Sequence, residues 1–392
     1  MRLRGVFAEN RKLSGPVRPF PHSLIVKIES GGVRMTNTVH FFLGANSGNG
    51  YQSLFGQLTD DRTLYDMVIL KGPPGTGKST FLKLVGEAME AVGTAVEYIH
   101  CAGAPDSLDG VLLPELRCAL ADGTAPHLLE PRYPLAVQRC LDLGRLCDIT
   151  AAKAARDEVI RLTDGEASAY GRAVHALKAA RQVELDTASA VRRTVDWARL
   201  ERRVEGIARR ELRQRGTEAG TTALRFLGTV THQGPVWRFD TVEALCPRVY
   251  ELADSCGLAG GTLEYLRETA AERGWNTVAC PAPEEPDRLE HLLIPGLGLA
   301  FVTSHPGMEW PGKAYRRLRL DAMAQPENRA RVRFESRMAR LLRQEAVAAL
   351  GEAKEAHDAL EALYHPYVDF DGVRTLAALE TARLLAWQSS MR

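Results

Sequence analysis

Val68-Ile69-Leu70-Lys71-Gly72-Pro73-Pro74-Gly75-Thr76-Gly77-Lys78-Ser79-Thr80-Phe81-Leu82 joins an apolar run to a G-x-x-x-x-G-K-S turn. An amphipathic segment follows, with apolar residues at Phe81, Leu82, Leu84, Val85, Ala88 and Met89. Strand, glycine turn and helix in that order are the context in which the motif reads as a phosphate-binding loop. Gly72, Gly75 and Gly77 carry no Cβ, so the backbone can wrap a polyphosphate and aim several N–H groups at it. The start of the helix adds positive dipole character. In this reading Gly72, Pro73, Pro74, Gly75, Thr76, Gly77 and Thr80 cradle phosphate, Lys78 reaches the β- and γ-phosphates, and Ser79 offers its hydroxyl to Mg²⁺. A chance glycine turn ahead of an ordinary helix is the competing explanation; average residue usage gives the pattern on the order of once in a hundred chains of this length.

The chain has 392 residues, room for two or three domains, and a net charge of +1, which gives no global argument for nucleic acid or an anionic membrane. Its 7 cysteines are scattered and never form C-x-x-C, a pattern of reduced thiols in a cytoplasmic protein and not of a disulfide framework or zinc site. No apolar run reaches the length of a membrane span, and the N-terminus lacks the apolar core of a secretory signal.

Working outward, residues 1–38 read as a poorly ordered tail, with Met35 a candidate true start. Val39–Leu43 reads as a strand, Gly44–Gly50 as a turn-rich loop, and Ala95–His100 as a second strand. A third apolar strand, Cys118–Ala121, ends at Asp122, where the Mg²⁺ aspartate of a phosphate-loop protein belongs; a turn aspartate or helix cap is the alternative. Gly123 follows, so the acidic neighbour that polarises water in strong ATPases is missing. Asp106, Asp109, Glu115 and His127 are the candidates to fill that gap, Asp109 and Glu115 ahead of the others as proton acceptors. Residues 151–217 read as a helical arm and linker, broken at Asp164-Gly165. The basic run Arg192–Arg215 reads as a solvated helix in preference to a nucleic-acid contact, because no aromatic platform accompanies it.

The second half repeats the first. Phe42-Leu43-Gly44 is echoed by Phe226-Leu227-Gly228, and Pro105-Asp106-x-Leu108 by Pro286-Asp287-x-Leu289. Ala152–Asp157 matches Ala353–Asp358, and Arg172–Arg181 matches Arg374–Arg383, so the offset grows from about 184 to about 202 and extra residues are expected around 305–350. The second loop keeps glycines but places Gly260 at the position of Lys78 and Thr303 at that of Asp122, which predicts one active and one vestigial site. An arginine of the second unit (Arg248, Arg316 or Arg317) is a candidate to cap the first site. His357, Glu361 and His365 share a helix face, where an exposed helix face is favoured over a metal site.

The blocks His40–Gly44, Gly72–Thr80, His100-Cys101, Asp106–Gly110, Asp122–His127 and Glu290–Pro295 resemble a family of two-repeat P-loop ATP-binding proteins of spore-forming bacteria, over residues 39–392. The resemblance implies ATP binding and hydrolysis, without an assigned substrate. The expected fold is α/β: two tandem P-loop NTPase-like units, 39–150 and 222–325, each a mostly parallel sheet flanked by helices and followed by a helical arm, 151–217 and 326–392. The expected function is a Mg²⁺-dependent ATPase that couples hydrolysis to movement between its repeats. A small-molecule or nucleotide kinase, with the first arm as a lid, and a non-catalytic nucleotide switch are the alternatives. A protein partner or oligomer is left open.

Overall fold

A computed structural model describes residues 38–325 and 328–391. The expectations for a loose tail and a start at Met35 lie outside them, apart from Thr38, which belongs to a strand. The first unit contains β1 (Thr38–Phe42), β2 (Gly44–Ser47), β3 (Gly50–Ser53), α1 (Gly56–Asp60), β4 (Asp66–Lys71), α2 (Lys78–Ala91), β5 (Val96–His100), β6 (Leu108–Leu113), β7 (Cys118–Asp122) and β8 (Gln138–Asp142). Its main sheet runs β1-β5-β6-β7-β4-β8, parallel throughout except for β6. Met67 to Leu70 of β4 are buried on both faces, which is why a central parallel strand reads as an unbroken apolar run. Two segments differ from the sequence reading. Gly44–Gly50 belongs to the β2–β3 hairpin, and Leu108–Leu113, assigned no element from sequence, is the reversed strand.

Three helices follow: α3 (Ile149–Ala154), α4 (Arg156–Arg192) and α5 (Trp197–Glu211). The second unit contains β9 (Thr222–Leu224), β10 (Gly228–Thr231), β11 (Gly234–Trp237), α6 (Phe239–Leu245), β12 (Arg248–Ala253), α7 (Ala259–Glu272), β13 (Thr277–Ala282), β14 (Glu285–Ile294), β15 (Leu299–Ser304) and β16 (Arg316–Arg319), then α8 (Arg329–Tyr364) and α9 (Phe370–Ser390). Its main sheet runs β9-β13-β14-β15-β12-β16 with β14 alone reversed, the same permutation of equivalent strands as in the first unit. The duplication is therefore structural.

Equivalent residues meet at the junction: Phe42 and Phe226 exchange both backbone hydrogen bonds at 2.9 Å. Such self-pairing marks a pseudo-two-fold axis. Around it the inner faces of the two sheets share one core, Phe41, Met67 and Ile69 packing in the same cluster as Val249, Val278 and Val302.

The helical arms cross between the units. α4 and α8 lie antiparallel, with Glu166 against His357, Arg172 against Glu352, Glu184 against Arg343 and Thr187 against Glu335. α5 then lays Leu200, Val204 and Ile207 on the α7 side of sheet two, while α9 lays Val373, Ala377 and Leu384 on the α2 side of sheet one. Each arm thus ends on the other unit. The sequence divisions at 217–222 and 325–326 fall between elements, and the one at 150 falls within α3. α4 passes unbroken through Asp164-Gly165, where a break is expected; a Cβ on Gly165 would meet nothing within 4 Å, and the cost of one exposed helical glycine, about 1 kcal/mol, is outweighed by packing along the rest of α4. The matches at an offset of about 202 pair the α3–α4 region with the end of α8 and α4 with α9, which are not equivalent elements. Alanine- and arginine-rich helices resemble one another by composition alone. Among the described residues no helix is long and apolar enough to cross a membrane.

His357 joins the arms to the first unit's edge. Hydrogen bonds to Glu166 and then Glu361 push its pKa up to about 9. A raised histidine contributes stability that is fully present below its unfolded pKa, near 6.5, and is lost as pH rises through the folded value. The side chain is 34% exposed, so solvent screening reduces the effect to about 1 kcal/mol. Urea melts are expected to show the native chain losing that much stability, relative to His357→Gln, between pH 6.5 and pH 9.5.

Candidate functional site

β4 delivers the chain into the glycine loop at the carboxyl edge of the sheet, where α/β proteins bind ligands. Gly72, Gly75 and Gly77 adopt φ of 146°, 75° and 82°, values that L side chains rarely adopt. A Cβ on Gly72 would also lie 2.8 Å from Thr76 Oγ1. Thr76 is buried and donates to Pro73 O at 2.8 Å, closing the loop on itself. Lys78 opens α2 and curls back, its Nζ donating to Gly72 O at 2.9 Å and Pro73 O at 3.0 Å. Pro74 and Ser79 are half-buried, and Thr80 is exposed one residue further along α2. Ser79 Oγ accepts the Leu108 N–H at 2.9 Å, fixing the hydroxyl against the start of β6.

Parallel pairing of β4 with β7 sets Leu70 opposite Asp122, and Asp122 Oδ2 lies 3.8 Å from Lys78 Nζ. Its other oxygen accepts from Thr124 N at 2.8 Å and Thr124 Oγ1 at 2.6 Å. Asp122 is thus a turn aspartate, the alternative reading from sequence, and it also faces the loop lysine. Beside it, the buried Asp109 Oδ2 lies 3.0 Å from His127 Nε2, and His127 Nδ1 lies 2.7 Å from Tyr51 Oη. Burial alone would depress the His127 pKa, but the charge and hydrogen bond of Asp109, helped by Asp122, raise it above its ordinary value, with Lys78 opposing. The imidazole is thereby held toward its protonated form, against the Asp109 carboxylate.

Other candidates lie elsewhere. Glu115 is exposed in the turn between β6 and β7, and because β6 is reversed that turn sits at the opposite edge of the sheet, beyond the first residue of β4. It is not part of the site. Asp106 accepts from Gln233 Nε2 at 3.2 Å, at the second unit's hairpin. Arg248 and Arg317 are held on sheet two by Glu211 and Glu251, and Arg316 lies over Tyr315. What reaches the loop from the second unit is instead the end of its arm. Gly75 packs against the Glu361 backbone, where an added Cβ would lie 2.8 Å from Glu361 O, and Val373 and Phe370 pack at Gly77. Neither Glu361 nor Tyr51 carried a motif that could have singled it out for this site.

The second loop departs from the first in length and in what occupies it. It has five residues between β12 and α7 where the first has six between β4 and α2. The buried pattern of α7 accordingly aligns Ala259 with Lys78, one position before the Gly260 expected from the motif. The helix amides are also occupied: Asp254 accepts from Cys256 N at 3.1 Å and Ala259 N at 2.7 Å, and Asp321 accepts from Ser255 N at 2.8 Å. A built-in carboxylate stands at the helix start, where a bound anion would compete with it.

The chain matches no family model, no curated protein and no solved structure.

The first site suits Mg²⁺ and a polyphosphate by its donor chemistry. A hydroxyl and a carboxylate are the sparse protein set that Mg²⁺ takes when phosphate and water supply the rest. Among the described residues no three His, Cys, Asp or Glu side chains gather as a metal cluster, including the His357–Glu361–His365 face. His365 there lies against the Phe370 ring.

Proposed function

We propose that this chain binds ATP and Mg²⁺ at the Gly72–Thr80 loop, hydrolyses ATP, and couples hydrolysis to movement between its two units, as a two-repeat P-loop protein of the kind its motif blocks resemble. The observation that carries the reading is the convergence of Lys78 and Asp122, 3.8 Å apart, on a loop of three left-handed glycines at a helix start. Mg²⁺ held by Ser79 and Asp122 would neutralise charge on the β- and γ-phosphates. Lys78 would exchange its two loop carbonyls for phosphate oxygens. Asp109, held by His127, would take a proton from an attacking water. Coupling is supported by the second unit's arm, whose Glu361 packs directly against Gly75 of the loop. The kinase alternative has no observation in its favour, because α4, the proposed lid, is paired along its length with α8.

The test is incubation of the purified chain with labelled ATP and Mg²⁺, alone and with a metabolite pool. Phosphate release without acceptor supports the proposal. Label transferred to a metabolite, or tight binding without turnover, would replace it with the kinase or the switch. Glu361→Gln is expected to tighten ATP binding roughly three- to tenfold in a calorimetric titration, because it removes a negative charge that stands beside Gly75 and would repel a phosphate. Unchanged affinity would remove Glu361 from the coupling route.

A further inference from the structure

The arginine run of residues 192–215 does not stand alone in the folded chain. α5 runs from the turn that follows β16 back to β12. At its start, Asp196 N–H donates to Met323 O at 2.8 Å and Val195 bridges to Ala324. At its end, Arg210 and Glu211 both bond Tyr250 Oη, at 2.9 Å and 2.6 Å, and Tyr250 pairs in register with Arg316 of β16. The first turns of α8 begin a few residues after the Val195–Ala324 bridge. Two stretches more than a hundred residues apart in sequence thus build one face. Residues 192–215 carry nine arginines against four acids, and residues 313–340 carry nine Lys or Arg against three acids. These are local balances of +5 and +6 in a chain whose total is +1.

That charge is open to solvent. Arg199, Arg203, Arg316, Arg329 and Arg333 are all exposed, and none has a carboxylate at ion-pair distance among the described residues. The face also supplies the aromatic group that the arginine run lacks in sequence. Tyr315 is 44% exposed, and the guanidinium groups of Arg316 and Arg248 lie 5.3 Å and 5.6 Å from its ring centroid. The basic side chains here are nearly all arginine, whose planar fork suits phosphate oxygens better than an ammonium group does. From Arg199 to Arg210 the helix extends about 16 Å, long enough to follow several nucleotides of a strand.

We propose that this face binds single-stranded nucleic acid, the arginines along its phosphates and Tyr315 under a base. The site uses neither Lys78 nor the glycine loop, so it stands independently of the ATPase reading.

The experiment is fluorescence anisotropy of the full chain with a labelled 20-nucleotide single strand. Contacts to three or four phosphates predict roughly 20- to 50-fold weaker binding at 200 mM than at 50 mM salt. Arg199→Glu combined with Arg316→Glu is expected to weaken binding at least about tenfold at 50 mM salt, and Tyr315→Ala by about tenfold. Circular dichroism would confirm that these surface variants are folded, and Lys78→Ala should bind the strand like the native chain. Absence of binding at 50 mM salt, or affinity unmoved by the double reversal, would overturn the proposal. Anionic phosphatidylglycerol vesicles capturing the chain as tightly as the strand, with Tyr315→Ala without effect, would overturn it in favour of a lipid surface.

Discussion

Lys78→Ala is expected to lower kcat/KM for ATP hydrolysis at least about a hundredfold, a loss of roughly 2.7 kcal/mol of transition-state stabilisation. In the proposed reaction the ammonium group would be the cation that the loop itself brings to the phosphates, and its charge would matter most where negative charge builds up in the transition state. Its contacts in the present structure, to Gly72 O and Pro73 O at 2.9 Å and 3.0 Å, are two exchangeable carbonyl bonds. Their removal should cost about 1–2 kcal/mol of fold stability, too little to unfold the unit and mimic a catalytic effect. Lys78→Arg should not rescue turnover, because a planar fork cannot enter the space that a single compact ammonium fills. The second unit supplies a natural reference, since Ala259 already stands at the equivalent position and Asp254 occupies its helix amides. Turnover that persisted in Lys78→Ala would contradict the assignment of the loop, and a loss accompanied by a collapsed melting curve would show that the folding cost had been misjudged.

The parts of this site that were legible in sequence are local. β4, the loop and α2 are contiguous, and apolar run, glycine spacing and helical period each act within a few residues. Asp122 was legible because a buried strand ended in a turn-forming aspartate. Glu115 misled because strand ends were taken to share one edge, and a single reversed strand, β6, puts its end on the far side. Asp109 and His127 were both candidates, yet their pairing depends on how the loop after β7 folds back, which no spacing encodes. Tyr51 and Glu361 come from a hairpin and from the other unit's arm. The crossing of the arms was equally hidden. An amphipathic helix declares that one face will be buried, but the sequence of α5 or α9 does not state which sheet it will cover. The same limit hid the basic face, since Tyr315 and the β16 arginines join α5 only through tertiary structure.

Arg225→Ala is expected to destabilise the protein by about 3–5 kcal/mol. Arg225 and Glu97 are 0% and 1% exposed and form an ion pair across the junction of the two units, one residue from the Phe42–Phe226 bridge. The guanidinium also donates to Leu224 O at 2.8 Å and to Glu97 Oε2 at 3.2 Å. Truncation would leave the Glu97 carboxylate buried among apolar strands without its counter-charge, and that desolvated charge, more than the lost attraction, sets the size of the effect. The two halves of the pair can be separated experimentally. Glu97→Leu alone should cost a similar amount, because it strands a buried guanidinium. Glu97→Leu with Arg225→Met should recover most of the loss and end within about 1–2 kcal/mol of the native chain, as buried ion pairs replaced by apolar groups of similar volume do. Urea melts of the native chain, Glu97→Leu, Arg225→Met and the double variant measure this coupling. A single truncation costing under about 1 kcal/mol would mean that water reaches the pair and that the junction is looser than the shared core implies. A full cost in both singles with no recovery in the double would instead assign the stability to the shape of the two side chains in the junction, and not to their charges.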